Sequence, residues 1–452
     1  MNSNLYQQPN WSNARKFFFY LFVCYFILYS FPFPLDVLVS MVQRLFAWIA
    51  EIKIFHFLIS VNDFIDKIFG AWNDIWKWLV PAIGKNILHL KNPIENFTNG
   101  SGDTLYDYVM MLVKFVFALL ASSIWYFRSK KKTNHTKLYY ILVALIRYYL
   151  AYMMLSYGFA KVIQSQFPSP SLIRYLQPYG ESSPMGLAWT FMGQSTAYNV
   201  FTGGCEVLGG LLLLFRRTKT FGALFTMTVC MTIFVMNMCF DIPVKLFSFH
   251  LFIMATYIAA DDFTRLIKFF FTNKQIEPYE IPRFNIPIKW AKKASYFKYI
   301  LILFLVYTNI KDTMKGYNEY GMGVPKPPLY GIYTVESKSV NNNNVPLLYK
   351  DTNNWKQIII PIKDFARIKL LNDSGRRYAF EVNDTTKTIL YHLAKDTVNK
   401  YNFKYTYENE ILTLQGKVNS DSVKYILKHY DENNFLLKNR GFHWINGTPF
   451  NR

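Results

Sequence analysis

Glu206 is the residue with the most chemistry to offer. It shares an apolar run with Asn199, Gly203 and Gly210, which recur at intervals of four, three and four and so fall on one helix face. The run before it places Arg147, Met154, Tyr157 and Lys161 near one face. The run after it carries Thr226, Cys230, Asn237 and Asp241, and the next opens Asp241-Ile-Pro-Val-Lys245 and continues through Ser248 and Thr256. A carboxylate shielded from water is either neutral or paired with a cation such as Lys161 or Arg147, and either state serves proton transfer or the binding of a polar head group. These residues predict a ligand pocket of Arg147, Tyr157, Lys161, Asn199, Glu206, Asn237, Asp241 and Lys245, with Glu206 as proton carrier or anchor. Lys161, Asp241 and Lys245 would form its polar mouth, where Gln164 also emerges. A plain structural role competes at each position. Glu206 can belong to an ion pair that fixes helix register, Asp241 can cap a helix that has Pro243 in its first turn, and His250, off the face of Lys245 and Ser248, reads as a satisfied structural histidine.

The elements that must position these side chains are bilayer-length helices. An ionisable group facing hydrocarbon costs at least ~2.5 kcal/mol at the bilayer centre, so the polar stripes are expected to turn toward one another. Arg15-Lys16 precede a first span, Phe17 to Phe31, which Phe31-Pro-Phe-Pro34 terminates; no small-residue cleavage site follows, so a signal peptide is not expected. From Val37 to Leu90 the pattern is amphipathic. Phe57, Val61, Phe64, Ile65, Ile68, Trp72, Ile75, Trp76 and Leu79 stand opposite Asp63, Asp66, Lys67, Asn73, Asp74 and Lys77, as on a helix lying at the membrane surface or packed on another domain. Residues 37–59 would span only with Arg44, Glu51 and Lys53 sheltered. Gly100-Ser-Gly-Asp-Thr104 offers Asp103 or Thr104 as N-cap for the span Leu105 to Phe127. Further spans follow at Leu138 to Val162, up to Arg216-Arg217, at Phe221 to Phe240, at Ile242 to Ala260 and, shorter, at Phe297 to Tyr307. The total is about seven, and the basic clusters at the span ends put the N-terminus in the cytoplasm and the C-terminus outside. A loop of about 35 residues rich in turn formers follows Val162, too long for a plain connection. Its Tyr179, Ser183, Trp189 and Tyr198 are placed to act as a lid, although Trp189 and Tyr198 also suit interface anchoring.

Beyond the linker Gly321-Met-Gly-Val-Pro-Lys-Pro-Pro328 the period changes to two. Short runs at Tyr330, Lys356, Arg367, Tyr378, Thr388, Phe403, Ile411 and Val423 are separated by Asn/Asp/Gly clusters, which predicts an antiparallel barrel or sandwich. The aromatic end, Arg440-Gly-Phe-His-Trp-Ile-Asn-Gly-Thr-Pro-Phe-Asn-Arg452, is expected to pack on that unit, with His443 and Trp444 as core contacts.

Composition narrows the function. The chain has 452 residues, 52% hydrophobic, and a formal charge of +21; its clusters Lys130-Lys131-Lys132 and Arg216-Arg217 abut apolar runs, which favours membrane anchoring over nucleic acid. The four cysteines, Cys24, Cys205, Cys230 and Cys239, form no C-x-x-C pair and lie in or beside apolar runs. No P-loop, dinucleotide fingerprint, G-x-S-x-G or metal-ligand cluster is present in the sequence.

Arg147 to Lys161 with its ending Tyr-Gly-Phe-Ala-Lys, Gly203-Gly-Cys-Glu206 with Gly209-Gly210 running into Arg216-Arg217, and Asn237-x-x-x-Asp241-x-Pro-x-Lys245 with Ser248 and His250 resemble the DoxX-like membrane proteins over residues 138–270. The best-known members are membrane subunits linked to thiosulfate:quinone oxidoreduction, so the resemblance implies a quinone or sulfur-redox role; the function expected is binding of a small amphiphile such as a quinone in a membrane-linked redox process. The fold expected is a polytopic α-helical membrane protein with an N-terminal membrane segment (1–135), a DoxX-like four-helix core (136–270), a cytoplasmic linker and last span (271–320) and an extracytoplasmic β domain (321–452). A bacterial inner membrane with a periplasmic β domain is the expected location. The competing function is a scaffold or envelope-assembly protein that presents the β domain to a protein partner.

Overall fold

Ser12 starts the first helix: its hydroxyl accepts from the Arg15 amide at 3.2 Å, and α1 (Asn13–Ser30) runs from there to the prolines at 32 and 34. The computed structural model describes residues 10–47, 54–95, 102–129, 131–132, 135–260, 262–272, 274–275, 288–348, 354–396 and 398–451, the side chains of 42, 45–47, 54–65 and 288–291 excepted. The helices continue as α2 (Leu35–Ala47), α3 (Ile54–Asn86), α4 (Leu105–Arg128), α5 (Thr136–Val162), α6 (Leu172–Tyr175), α7 (Pro184–Gln194), α8 (Thr196–Leu214), α9 (Lys219–Cys239), α10 (Lys245–Ala260), α11 (Phe263–Phe271), α12 (Ile288–Tyr320) and α13 (Leu436–Asn439). The chain divides into two compact units, Met1–Gln166 with Ala197–Lys315 and Phe167–Thr196 with Gly316–Arg452.

Among the described residues of the first unit, five helical stretches are long and apolar enough to cross a membrane: Asn13–Met41, α4, α5, α8 and α9. A sixth results if α10 and α11, bent by 73°, are counted as one. The expected last span, Phe297 to Tyr307, lies inside α12, whose flanking lysines and acids keep it out of that set among the described residues. Tyr20, Val23 and Phe26 of α1 pack with Ile146, Leu150 and Met154 of α5, Leu213 of α8, Cys230 of α9 and Ala255 and Ile258 of α10 in one apolar core. The amphipathic α3 buries Trp76 and Val80 against Tyr106, Val109 and Val113 of α4 and leaves Trp78 72% exposed. Glu51 and Lys53, and the side chains of the predicted stripe before Asp66, lie outside the described residues. Arg44 is described, and it pairs with Asp312 of α12 at 2.6 Å.

The N-cap of α4 is Thr104, in a reciprocal capping box with Asp107. Asp103 is used elsewhere. Its carboxylate accepts from the Lys245 amide at 2.7 Å and the Leu246 amide at 2.9 Å, closing the N-terminus of α10. The expectation that Asp241 caps this helix is therefore corrected: α10 starts four residues later, and Asp241 sits at φ 50° on an exposed turn with its carboxylate on Lys245 at 2.9 Å.

Among its described residues the second unit has nine strands in consecutive antiparallel order: β1 (Gly331–Val340), β2 (Asn343–Asn344), β3 (Trp355–Ile362), β4 (Phe365–Leu370), β5 (Gly375–Asn383), β6 (Thr388–Leu393), β7 (Tyr401–Glu408), β8 (Ile411–Val418) and β9 (Asp421–Tyr430). Pairing of β1 with β9 closes the sheet into a barrel, so the sandwich alternative falls away. Alternate residues point inward. Tyr333, Ile358, Ile368, Phe380, Tyr391, Phe403, Leu414 and Tyr425 fill the interior, with Trp355 stacked on Tyr425 at 4.5 Å. Asp364, Asp373, Asn409 and Asn419 adopt positive φ in the turns, as short side chains that bond their own backbone do readily.

Residues 167–196, which carry Tyr179, Ser183 and Trp189 of the expected lid, belong to this second unit, whereas Tyr198 lies on α8 in the first. Leu172 of α6 is buried with Ile332 of β1 and Ile359 of β3, and Ile173, Leu176 and Phe435 pack around them. Ser183 caps α7 through the Gly186 amide, Trp189 meets Phe167 edge to face at 4.9 Å, and Tyr179 stays 76% exposed. The last residues do not pack as expected. Phe442, Trp444 and Ile445 are each more than four-fifths exposed and His443 is exposed, because a closed barrel filled by its own side chains leaves the tail no apolar slot. The tail folds on itself instead, with Arg440 bonded to Asn446 at 2.8 Å and stacked over Phe450 at 4.1 Å.

Candidate functional site

Helices α5 and α8 meet backbone to backbone at Gly158 and Gly203. A Cβ built on Gly203 would lie 2.7 Å from the Gly158 carbonyl oxygen, and one on Gly158 would lie 2.8 Å from the Val207 nitrogen. Small residues are what permit such an approach between apolar helices. One turn along each helix, the approach brings Lys161 and Glu206 together: Nζ lies 2.7 Å from Oε1 and 2.9 Å from Oε2, with residue exposures of 6% and 2%. Gly210 meets Ala151 and Leu155 of α5, and Gly209 faces Thr226 of α9. The pair is closely packed.

The other expected pocket residues are used differently. Arg147 is buried on α5, but its offset of fourteen positions from Lys161 puts it about 21 Å away along the axis. Its guanidinium lies over the Tyr148 ring at 5.1 Å. Asn237 of α9 donates to Ser248 Oγ of α10 at 3.0 Å, tying two adjacent helices. Lys245 takes Asp241 at 2.9 Å and Asp103 at 3.9 Å. Tyr157 is 40% exposed, with Lys161 Nζ 5.9 Å from its ring centroid, and Asn199 is buried on α8 two turns from Glu206. Cys230 lies within 3.7 Å of the Met154 sulfur, an ordinary core contact. The structure thus unites Lys161 with Glu206 and gives Arg147, Asn237, Asp241 and Lys245 local partners.

A groove of about 890 Å³ lies elsewhere in the same unit, between α1, α4 and α10. Its walls are apolar and largely aromatic: Phe18, Phe22, Tyr25 and Tyr29 from α1, Met111 and Phe115 from α4, and Phe249 and Tyr257 from α10. Arg15 and Tyr29 both line it, so it extends about 21 Å along α1. Two ring pairs are held flat along it, Phe22 on Tyr257 at 3.9 Å and Tyr29 on His250 at 4.3 Å. His250 Nδ1 lies 2.6 Å from the Leu246 carbonyl, which can only accept; this selects the Nδ1–H tautomer and leaves Nε2 to accept from Tyr25 Oη at 2.6 Å. His250 is thus satisfied at both nitrogens. At the opposite end the Arg15 guanidinium stacks on Trp11 at 4.6 Å. The repeated aromatics of α1 are visible in the sequence, but the partners that turn them into a groove are set by tertiary packing.

Among the described residues no group of three or more His, Cys, Asp or Glu is placed to hold a metal ion. The chain is 37% identical over 105 residues to the uncharacterized protein YwoB of Bacillus subtilis (strain 168), a match that covers 23% of this chain and 64% of that protein. The chain therefore spans less than two thirds of the length of the curated relative it matches. No family model matches it. No solved structure matches it.

Proposed function

We propose that this chain is an integral membrane protein, DoxX-like in residues 138–270, that binds an amphiphile with a long apolar tail in the groove between α1, α4 and α10. The observation that carries this reading is the groove itself: an aromatic-walled channel about 21 Å long, with a cation, Arg15, at one end and a tyrosine–histidine pair near the other. A quinone fits the description, since its ring can lie against Phe22–Tyr257 or Tyr29–His250 and its isoprenoid chain along the groove. The Lys161–Glu206 pair then fixes the register of α5 on α8 and holds the bundle that supports the groove. The first unit crosses a bacterial inner membrane with its N-terminus in the cytoplasm, and the β unit faces the periplasm.

The test is quinone binding to the purified full-length protein in detergent, followed by quenching of tryptophan fluorescence, since Trp11 lines the groove. Decylubiquinone should bind saturably, and Ile253→Phe, at a position of α10 that lines the groove, should weaken it at least tenfold without changing thermal stability. Unsaturable partitioning, or equal binding by the variant, would rule the site out.

A second reading, a membrane platform presenting the β unit to a protein partner, draws on one observation: the exposed Phe442, Trp444 and Ile445 of the folded tail.

A further inference from the structure

The β unit places two arginines where sheet energetics disfavour them. Arg367 of β4 and Arg377 of β5 are direct cross-strand partners, so both side chains leave the same face of the barrel, and both are exposed. Partners of this kind have Cβ atoms about 5 Å apart, and like charges there are destabilising. Among the described residues, neither guanidinium has a carboxylate within the 4.0 Å that defines an ion pair. Arg367 is also held in place. A Cβ on Gly375 would lie 2.7 Å from its Nε and 3.0 Å from Nη2, so the missing side chain at 375 makes the bed in which the guanidinium rests.

This cation borders a cleft of about 430 Å³, walled on one side by Arg367, Lys369, Asp373 and Gly375 and on the other by Ile173, Gln177 and Glu181. Asp373 does not offset the arginines, because its carboxylate is engaged by Lys356 at 2.7 Å and Lys369 at 3.1 Å. Those two lysine hydrogen bonds, Lys356 first, hold its carboxyl below the usual range, so it stays ionised and spent on them. Arg367, Arg377, Lys356 and Lys369 against Asp373 and Glu181 leave the region positive.

We propose that Arg367 and Arg377 form an anion site at this cleft for a phosphate-bearing ligand. Two adjacent guanidinium forks offer parallel N–H pairs to two edges of one tetrahedral anion, whereas a single carboxylate fills one fork. The like-charge juxtaposition is relieved when the anion is bound. A free phosphate and a phosphate carried on a lipid present the same recognition chemistry, and the two probes below distinguish them.

The experiment is calorimetry on the full-length protein in detergent with inorganic phosphate, repeated in nanodiscs with and without phosphatidic acid. Saturable binding of either probe is expected, lost at least tenfold in Arg367→Gln/Arg377→Gln, unchanged in Lys404→Gln on β7, and tightened in Glu181→Gln. Phosphate-free thermal unfolding separates this from a structural role: the double variant should be at least as stable as the wild type, because it removes an uncompensated repulsion. No saturable binding of either probe, binding indifferent to the double substitution, a preference for citrate over phosphate, or a double variant that unfolds at lower temperature without phosphate would each overturn the assignment.

Discussion

Removing one member of the Lys161–Glu206 pair should damage the protein more than removing both. The ammonium and carboxylate are 2.7 Å apart, at 6% and 2% exposure, beside the close α5–α8 crossing. Breaking a buried pair from one side costs about 3–5 kcal/mol, whereas replacing both partners by apolar residues of similar volume is often neutral or stabilising. Glu206→Gln and Lys161→Met are each expected to destabilise by on the order of 3 kcal/mol. At roughly 2–4 °C per kcal/mol for a unit of this size, the melting temperature falls by on the order of 10 °C. The double variant Lys161→Met/Glu206→Met should recover most of that loss. The assay is a double-mutant cycle read by thermal unfolding of the detergent-solubilised protein, beside decylubiquinone binding in the same variants. Additive losses, with a coupling below about 0.5 kcal/mol, would refute the claim that the two charges depend on each other. Loss of quinone binding in the refolded double variant would show that the pair serves the ligand and not only helix register.

Three further outcomes follow from the packing and capping. Gly203→Ala should cost about 1–3 kcal/mol, because its methyl carbon would stand 2.7 Å from the Gly158 carbonyl oxygen and must part the helices; a melting curve superimposable on wild type would contradict the close crossing. Asp103→Ala should raise amide hydrogen exchange in the first turn of α10 and cost about 0.5–2 kcal/mol, while Asp241→Ala should leave that turn unchanged. In the barrel, burial raises the Tyr330 phenol to about 12 and pushes Tyr333, Tyr391 and Tyr425 higher still. Each holds its proton more tightly folded than unfolded, so their contribution is intact below a phenol's ordinary value of about 10 and declines as pH climbs through the folded values. Tyrosinate absorbance from these residues should therefore appear together with loss of the β circular-dichroism signal, and its appearance in an intact barrel would show the phenols to be accessible.

The barrel was readable from the chain because its signals are local. Alternation of inward Ile, Phe and Tyr with outward charges, interrupted by Asn and Asp turns, marks every strand except β2, whose two asparagines carry no apolar partner to reveal them. Most of the apolar helices were equally legible, but the spacing left Glu206 free to pair with either Lys161 or Arg147, and the packing of α5 on α8 selects Lys161. What the spacing could not supply was partnership across elements. Asp103 reads as a cap for the helix that follows it and instead closes α10, more than a hundred residues on. The groove arises because α1, α4 and α10 leave aromatic faces side by side, and helical period says which residues share a face but not which faces adjoin. The tail misled because aromatic content is no guide to burial once an interior is already full.

Gathering residues 167–196 with the strands has a practical consequence for anyone dividing this molecule. A fragment cut at the glycine- and proline-rich stretch after α12 would keep every strand yet lose Leu172 and its neighbours, which shield Ile332 and Ile359. The barrel would then carry an oily scar on its outer wall, and it is expected to clump unless residues 167–196 are supplied or those two isoleucines are made polar.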